Sequence, residues 1–123
     1  LMIPERAETM RNYADENGEG WYLPPFPADF WHVTDAKEAA FLEELSTAHP
    51  YATMLQKLRL IGGLDKIAKK AYVLATGYEP SSFPKFAEEA RSLGWPVEEL
   101  ETHHFTMLSM PAETAEVLIR HAA

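Results

Sequence analysis

Several things are missing from this chain, and each absence narrows what the chain can be. It contains no cysteine, so disulfide bonds and thiolate chemistry are excluded. It has no apolar run of about 18 residues, which excludes a membrane-spanning helix. Its first residues include Glu5, Arg6 and Glu8 instead of an apolar signal segment, and this favours a cytoplasmic location. Cations are also scarce: 11 Lys and Arg against 19 Asp and Glu give a formal charge of −8, which argues against nucleic-acid binding.

The chain also lacks the sequence patterns of a nucleophile and of a metal site. A Gly-x-Ser-x-Gly pattern permits the sharp turn that exposes a nucleophilic serine. None of the serines lies in such a pattern; they are Ser46, Ser81, Ser82, Ser92 and Ser109. His103 and His104 are adjacent, so their side chains point in different directions, and no H-x-x-E-H or H-E-x-x-H pattern accompanies them. We therefore expect no metal and no other cofactor.

The 123 residues fit one small domain, and the first part of the chain is predicted to be helical and aromatic. Apolar residues at helical spacing predict a helix over 4–17, which Gly18 and Gly20 end. Residues 21–33 combine three prolines with five aromatic side chains. Prolines interrupt regular structure and exposed aromatic rings are unfavourable, so this segment is predicted to be an ordered apolar loop that roofs a pocket.

A second helix is predicted to start at Thr34 or Asp35 and to end near Ser46. Its start is indicated by Asp35 and Glu38, which have the spacing of a capping box. A short helix is predicted over 51–58, before two glycines break the pattern.

The second half of the chain predicts a strand, a helix, a strand and a helix. The continuous apolar run 71–76 is typical of a strand buried on both faces of a parallel sheet. Residues 81–93 form an amphipathic helix with Phe86 on its inward face, 97–100 form a second strand, and Pro111 opens the last helix. A right-handed crossover between the strands makes them parallel.

Two strands cannot cover both faces of a sheet or satisfy both of its edges. We therefore expect the second half to be the edge of a larger sheet that is supplied elsewhere, and the first half to be a lid over it. The chain opens at Leu1 rather than at Met, which suggests a processed or excised polypeptide.

Two side chains are predicted at the end of this sheet where ligands bind. Ligands of parallel sheets lie beyond the carboxyl ends of the strands, and Glu79 follows the first strand as His104 follows the second. No Asp occurs after Asp65, so a glutamate is the acid available there. A carboxylate beside an imidazole fixes its tautomer and leaves the other ring nitrogen free as a base. The alternative without a catalytic role is that His104 is a solvated loop histidine and Glu79 a surface carboxylate.

The residues around His104 carry a family resemblance. The string His104-Phe105-Thr106-Met107-Leu108-Ser109-Met110-Pro111 resembles the H-x-x-M-L-x-x-P string of an α/β-hydrolase group. That group contains plant salicylate-binding methylesterases, hydroxynitrile lyases and many bacterial esterases. Residues 76–86, with Phe83-Pro84-Lys85-Phe86, are similar to the segment that carries the acid of its catalytic triad, and Glu79 falls on the position of that acid.

The resemblance implies the C-terminal part of an α/β-hydrolase fold, with a helical cap segment over 1–63 and a βαβα core part over 64–123. It implies that His104 is the catalytic base and Glu79 the triad acid of a carboxylic ester hydrolase. The serine would lie in a Gly-x-Ser-x-Gly elbow on a complementary N-terminal chain, which would form a heterodimer with this one. The expected substrate is a small hydrophobic ester or lactone, with no membrane or nucleic-acid partner. The expected lining of its pocket is Phe26, Phe30, Trp31, Met54 and Phe105; the alternative for these rings is simple packing.

Three departures from the group qualify this reading. The acid is Glu where Asp is usual. His103, expected to be a solvated neighbour of the base, stands where Gly or a small acid is usual, and its protonated form would lower the basicity of His104. Phe105 stands where the lyases carry Lys, which disfavours hydroxynitrile cleavage. Two other classes stay open: a non-catalytic ligand-binding module of the same fold, and an inactive fragment.

Overall fold

The chain is mixed α/β, with helices and two short sheets. The structure is a computed structural model, and it describes residues 4–57, 59, 61–78 and 82–122. Its elements, in chain order, are α1 Pro4–Asn17, β1 Tyr22–Leu23, a 3-10 helix Ala28–Trp31, α2 Ala36–Leu45, β2 His49–Pro50, α3 Ala52–Leu55, a 3-10 helix Leu64–Lys66, β3 Tyr72–Ala75, α4 Phe83–Ser92, β4 Val97–Leu100, α5 Thr106–Ser109 and α6 Pro111–Ala122.

The first part of the chain packs around one small core. Met10 and Ala14 on α1 are buried against Leu23 of β1 and against Tyr51, which follows β2. The Tyr51 hydroxyl donates to the carbonyl of Ala7 at 3.2 Å, so the end of β2 is tied to α1. Antiparallel pairing of β1 with β2 closes this unit. The predicted first helix is confirmed, and it ends where the sequence placed the glycines.

The proline-rich segment is more regular than expected. We predicted a loop without regular structure over 21–33, and this was wrong, because β1 and the 3-10 helix Ala28–Trp31 both lie within it. The 3-10 helix begins directly after Pro27, which has φ −63° and no N–H to satisfy. A proline at this position favours the start of a helical turn instead of opposing it.

Helix α2 confirms the predicted second helix. Asp35 is its N-cap, and the carboxylate accepts from the backbone N–H groups of Lys37 at 2.9 Å and of Glu38 at 3.0 Å. These bonds lower the pKa of Asp35. The short helix that follows ends at Leu55, earlier than the predicted 51–58; Leu58 and Leu60 lie outside the described residues.

Strands β3 and β4 are parallel and in register, with Tyr72 opposite Val97 and Ala75 opposite Leu100. Both strands and the crossover helix α4 were predicted. Within the described chain Leu74 is buried and Tyr72, Val73 and Ala75 are partly buried. Burial of both faces of β3 in a larger sheet stays a prediction. Phe86 on α4 is 39% exposed in the described chain, although we expected it to face inward.

The last part of the chain contains two helices. A short helix α5, which the sequence did not predict, precedes the predicted α6. Val117 is the buried residue of α6, while its neighbours Leu118 and Ile119 are 62% and 69% exposed. No helix in the described part of the chain is long and apolar enough to cross a membrane.

Candidate functional site

The loops that follow β3 and β4 meet at one end of the parallel pair. The N–H of Gly77 donates to the carbonyl of Thr102 at 2.9 Å, and the N–H of Thr76 donates to Leu100 at 2.9 Å. A Cβ on Gly77 would lie 2.8 Å from the oxygen and 2.9 Å from the carbon of the Thr102 carbonyl. Only glycine permits this approach, so residues 76–78, here called the Gly77 loop, sit directly against residues 101–105, the His104 loop.

Hydroxyl groups hold the His104 loop against α5. Thr102 Oγ1 hydrogen-bonds to Ser109 Oγ, and the Ser109 hydroxyl also lies 3.3 Å from the Phe105 carbonyl, to which it can donate. The loop is therefore attached to α5 at two points, at Thr102 before His104 and at Phe105 after it. Ser109 fills a structural position here.

Aromatic rings surround the His104 imidazole. Trp31 stacks on one side with ring centroids 4.8 Å apart and planes 20° apart. Phe83 is also stacked with it, at 5.5 Å and 15°. Tyr78 lies 4.8 Å away and Phe105 lies edge-on at 5.2 Å. We call these four rings the aromatic cluster.

A row of ring contacts connects the aromatic cluster to the core of the cap segment. Tyr13 on α1 stacks on Phe26 at 5.0 Å, and Phe26 stacks on Phe30 at 4.5 Å. Phe30 meets Trp31 edge-on at 4.8 Å. Each such pair of rings stabilises the folded state by about 1 kcal/mol, in addition to the effect of burying their apolar surface. The main chain joins the same parts, since the N–H of His104 donates to the Trp31 carbonyl at 3.4 Å.

Burial lowers the pKa of His104 below its ordinary value of 6.5, because the rings displace the water that would solvate the imidazolium. A positive charge on His103 lowers the pKa of His104 further. This second cause acts only in the cationic form of His103. Neither ring nitrogen of His104 has a hydrogen-bond partner among the described side chains. Glu79, the predicted orienting acid, lies outside the described residues, so its contact with His104 stays a prediction.

A cavity of about 200 Å³ opens beside His104. Its lining is mostly apolar and comes from β3, α4 and the start of α5: Tyr72, Val73, Ala75, Phe83, His104 and Thr106. A small group can reach the imidazole through this cavity, from the side of β3. Apolar walls with a few polar groups, here from Tyr72, His104 and Thr106, are typical of small-molecule sites.

His103 is not the solvated neighbour that we expected. Its side chain is 9% exposed, and its Nε2 lies 2.8 Å from Oε2 of Glu38 on α2. Its other ring nitrogen, Nδ1, accepts from the N–H of Phe105 at 3.1 Å. The expectation failed because it considered only the residues adjacent in sequence, whereas the partner comes from 65 positions away.

His32 connects the cap segment to the Gly77 loop. Its Nδ1 lies 3.1 Å from the Gly77 carbonyl, and its ring meets Tyr78 edge-on at 5.0 Å. The residue has φ 59° and ψ 26°, a left-handed conformation that costs a non-glycine residue about 1–3 kcal/mol. The hydrogen bond to Gly77 helps to offset this cost, and the bend it stabilises turns Trp31 toward His104.

None of the five residues predicted to line the pocket is among those that line the cavity beside His104, so their contact with a substrate stays a prediction. Trp31 and Phe105 touch His104 directly, and Phe26 and Phe30 support Trp31 from behind. Met54 lies on α3, partly exposed, and is not part of the ring row.

Two rings of the aromatic cluster were absent from the predicted site. Tyr78 is buried at the end of the Gly77 loop, and Phe83 begins α4. A signal for Tyr78 was available, because it directly precedes Glu79 in the sequence.

A second cavity, of about 490 Å³, lies at the opposite end of the parallel pair. Arg120 and His121 at the end of α6 both contact Oε1 of Glu98, at 2.7 and 2.8 Å. Lys70 lies over the Trp95 ring at 5.7 Å. We call this region the charged end; it is lined by Ala68, Lys69, Lys70, Leu93, Gly94, Trp95, Pro96, Arg120 and His121.

The described side chains contain no group of three or more His, Asp or Glu residues arranged to hold a metal ion. His103 and His104 do not converge, because one imidazole faces α2 and the other lies within the aromatic cluster.

Comparisons with known proteins give one informative similarity. No family model matches the chain, and no solved structure matches it. Over 97 residues the chain is 32% identical to the carbendazim hydrolyzing esterase of Nocardioides sp. (strain SG-4G). The match covers 78% of this chain and 40% of that esterase, so the chain spans less than half of the relative's length. The chain is thus similar to part of an ester-hydrolysing enzyme.

Proposed function

We propose that this chain is the cap and C-terminal part of an α/β-hydrolase-fold serine esterase, in which His104 is the general base. The observation that carries the proposal is the position of His104. It follows the second of two parallel strands, lies within the aromatic cluster, and borders a small apolar cavity. The similarity to an esterase supports the same chemistry independently.

In this mechanism His104 takes the proton from a serine hydroxyl as the serine oxygen attacks an ester carbonyl. It then gives that proton to the departing alcohol, and later removes a proton from the water that releases the acid. A base must be unprotonated at the start of the reaction. Because burial lowers the pKa of His104, the neutral imidazole is the dominant form at neutral pH.

We assign the orienting acid to Glu79. Among the described carboxylates, none hydrogen-bonds to His104, and Glu79 follows Tyr78, whose ring contacts the imidazole. A Glu79→Gln variant is expected to lose most of its turnover while keeping its substrate affinity.

The nucleophile is proposed to lie outside these 123 residues, in a Gly-x-Ser-x-Gly elbow on a complementary N-terminal chain. Two features support a larger assembly. The sheet formed by β3 and β4 has two strands in the described chain, and the large apolar side chains Leu118 and Ile119 are exposed on α6. Surfaces of this kind are normally covered by further strands and helices.

The proposed substrate is a small hydrophobic ester or lactone. The cavity beside His104 has apolar walls from Val73, Ala75 and Phe83, which suit a small apolar acyl or aryl group. The relative is named for hydrolysis of carbendazim; for this chain we propose only the shared reaction, ester hydrolysis.

The test is mass analysis of the protein purified from its own cells, after treatment with a serine-directed fluorophosphonate. Denaturing the sample separates non-covalent partners. We expect the label on a serine outside the 123 residues, and loss of labelling when His104 is replaced by alanine. An unlabelled 13.9 kDa species without a partner would contradict the proposal and favour a ligand-binding module or an inactive fragment.

A further inference from the structure

One partly buried polar contact between the cap segment and the His104 loop has no part in the proposed proton transfers. His103 Nε2 and Glu38 Oε2 are 2.8 Å apart, with the two side chains 9% and 22% exposed. Glu38 lies in the first turn of α2 and His103 lies directly before His104. The contact therefore joins a helix of the cap segment to the residue next to the proposed base.

Glu38 has a local alternative that it does not use. In a capping box, the carboxylate at this position turns back to the N–H of the N-cap residue. Asp35 makes its half of that arrangement, because its side chain accepts from Lys37 and Glu38. The Glu38 carboxylate instead faces His103. The contact is thus formed in place of a bond within α2.

The two bonds to His103 fix its tautomer. Nδ1 accepts from the Phe105 N–H at 3.1 Å, so Nδ1 carries no proton. The ring proton is then on Nε2 and is donated to Glu38. A single neutral imidazole with its proton on Nε2 satisfies both partners, and it orders the backbone on each side of His104.

We infer that Glu38 and His103 are positioning residues, which hold the His104 loop against α2 and so make the placement of His104 depend on the placement of the cap segment. The kinetic part of this inference rests on the proposed esterase function; the structural part does not. His104 is bound to the cap segment from two directions, by its own N–H to Trp31 and by the neighbouring His103 to Glu38. When the cap segment shifts, the base shifts with it.

Three variants at the pair test this coupling. Glu38→Ala removes the acceptor, whereas Glu38→Gln keeps an oxygen that accepts from Nε2. His103→Asn keeps a side-chain oxygen that can accept from the Phe105 N–H two residues on, but it is too short to reach Glu38. The matched control is Glu43→Ala, which removes an exposed carboxylate from the same helix.

The first readout is hydrolysis of p-nitrophenyl butyrate by the protein with any partner chain bound. We expect Glu38→Ala and His103→Asn each to lower kcat about 10- to 100-fold, since small misplacement of a catalytic group has effects of this size. The double variant should lose little more than either single variant, because both remove one link. Glu38→Gln and Glu43→Ala should stay within about twofold of the unmutated enzyme. A stabilising contact without a positioning role would lower Tm and leave kcat unchanged well below Tm.

The second readout is independent of activity. Imidazole ¹⁵N shifts should show His103 with its proton on Nε2 in the unmutated protein and in Glu38→Gln, and a changed Nε2 shift in Glu38→Ala, where that proton loses its acceptor. Wild-type kcat in Glu38→Ala, or a tautomer mixture in the unmutated protein, would overturn the inference. If the unmutated protein hydrolyses no ester, the proposed function fails, and the ¹⁵N shifts alone decide whether the pair holds the loop.

Discussion

The two ends of the parallel pair β3–β4 are built from different interactions. At the carboxyl ends of the strands, His104 is enclosed by rings and by loops that meet through backbone hydrogen bonds. At the amino ends, the side chains are charged, and Arg120 and His121 share one carboxylate on Glu98; Arg120 is 56% exposed, while His121 and Glu98 are 22% and 26% exposed. The first end surrounds one ionisable group with rings, while the second pairs its ionisable groups with each other.

The charged end is explained by the helix that terminates there. Arg120 and His121 are in the last turn of α6, and Lys69 donates to the carbonyl of Ala122 at 3.4 Å. Cations at a helix C-terminus interact favourably with its dipole and with its unpaired carbonyl groups. The larger of the two cavities lies at this end.

The largest loss of stability is expected at the contact between the two loops beside His104. In Gly77→Ala, the new methyl group meets the Thr102 carbonyl carbon and oxygen, neither of which can move independently of the backbone. We expect a loss of about 3 kcal/mol in the free energy of unfolding, measured by urea denaturation. Gly63→Ala is the control, because nothing lies within 4 Å of its Cβ position and its φ is −70°. Equal stability of the two variants would show that the loops are not in tight contact.

The next largest loss of stability is expected at Trp31, whose ring connects Phe30 to His104. Trp31→Ala removes the stack on His104 and the edge contacts with Phe30 and Phe105. We expect a loss of about 2 kcal/mol, below the range for a fully buried tryptophan because Trp31 is half-buried. Trp21→Ala, at a position that is 61% exposed, should change stability little. Similar losses in both variants, again by urea denaturation, would contradict the assignment of Trp31 to the cluster.

Stability should depend on pH through His104. Its pKa is lower in the folded protein than the value of 6.5 that applies in the unfolded chain, so the unfolded chain binds more protons between the two values. The contribution of this group is therefore complete above pH 6.5 and is lost as the pH falls through the folded pKa. Between pH 8 and pH 5, Tm of His104→Gln should decline less than Tm of the unmutated protein. Parallel declines would show that the rings do not disfavour the charged imidazole.

The smallest effect is expected at the charged end. The Arg120 side chain is 56% exposed, and Glu98 keeps its contact with His121 when Arg120 is removed, so the loss of this ion pair should cost little. Arg120→Ala should shift Tm by no more than about 2 °C in a thermal melt. A shift comparable to that of Trp31→Ala would mean that the two ends are alike in their contribution to stability.

The secondary structure could be predicted from the sequence wherever it depends on residues close together in the chain. Helix α1, the N-cap at Asp35 and the order of strand, helix, strand and helix in the second half all followed from periodicity, capping residues and glycines. The segment 21–33 was predicted incorrectly because three prolines were taken to exclude regular structure, whereas Pro27 supports the start of a 3-10 turn.

The site was predictable only in part, because its geometry depends on contacts between distant residues. His104, Trp31 and Phe105 were identified from motif and composition. The pairing of His103 with Glu38 spans 65 positions, and the spacing of Asp35 and Glu38 favoured a capping box that would have used the same carboxylate. The bond from His32 to Gly77 spans 45 positions and has no local signal.

In the proposed function, the chemistry resides at the His104 end and not at the charged end. We would compare kcat/KM for p-nitrophenyl butyrate between His104→Ala and His121→Ala, each purified with any partner chain bound. Loss of a triad base typically costs a factor of about 10³–10⁶. We predict a loss of this order for His104→Ala and a change of less than about twofold for His121→Ala. Equal activities in the two variants would contradict the assignment of His104 as the base.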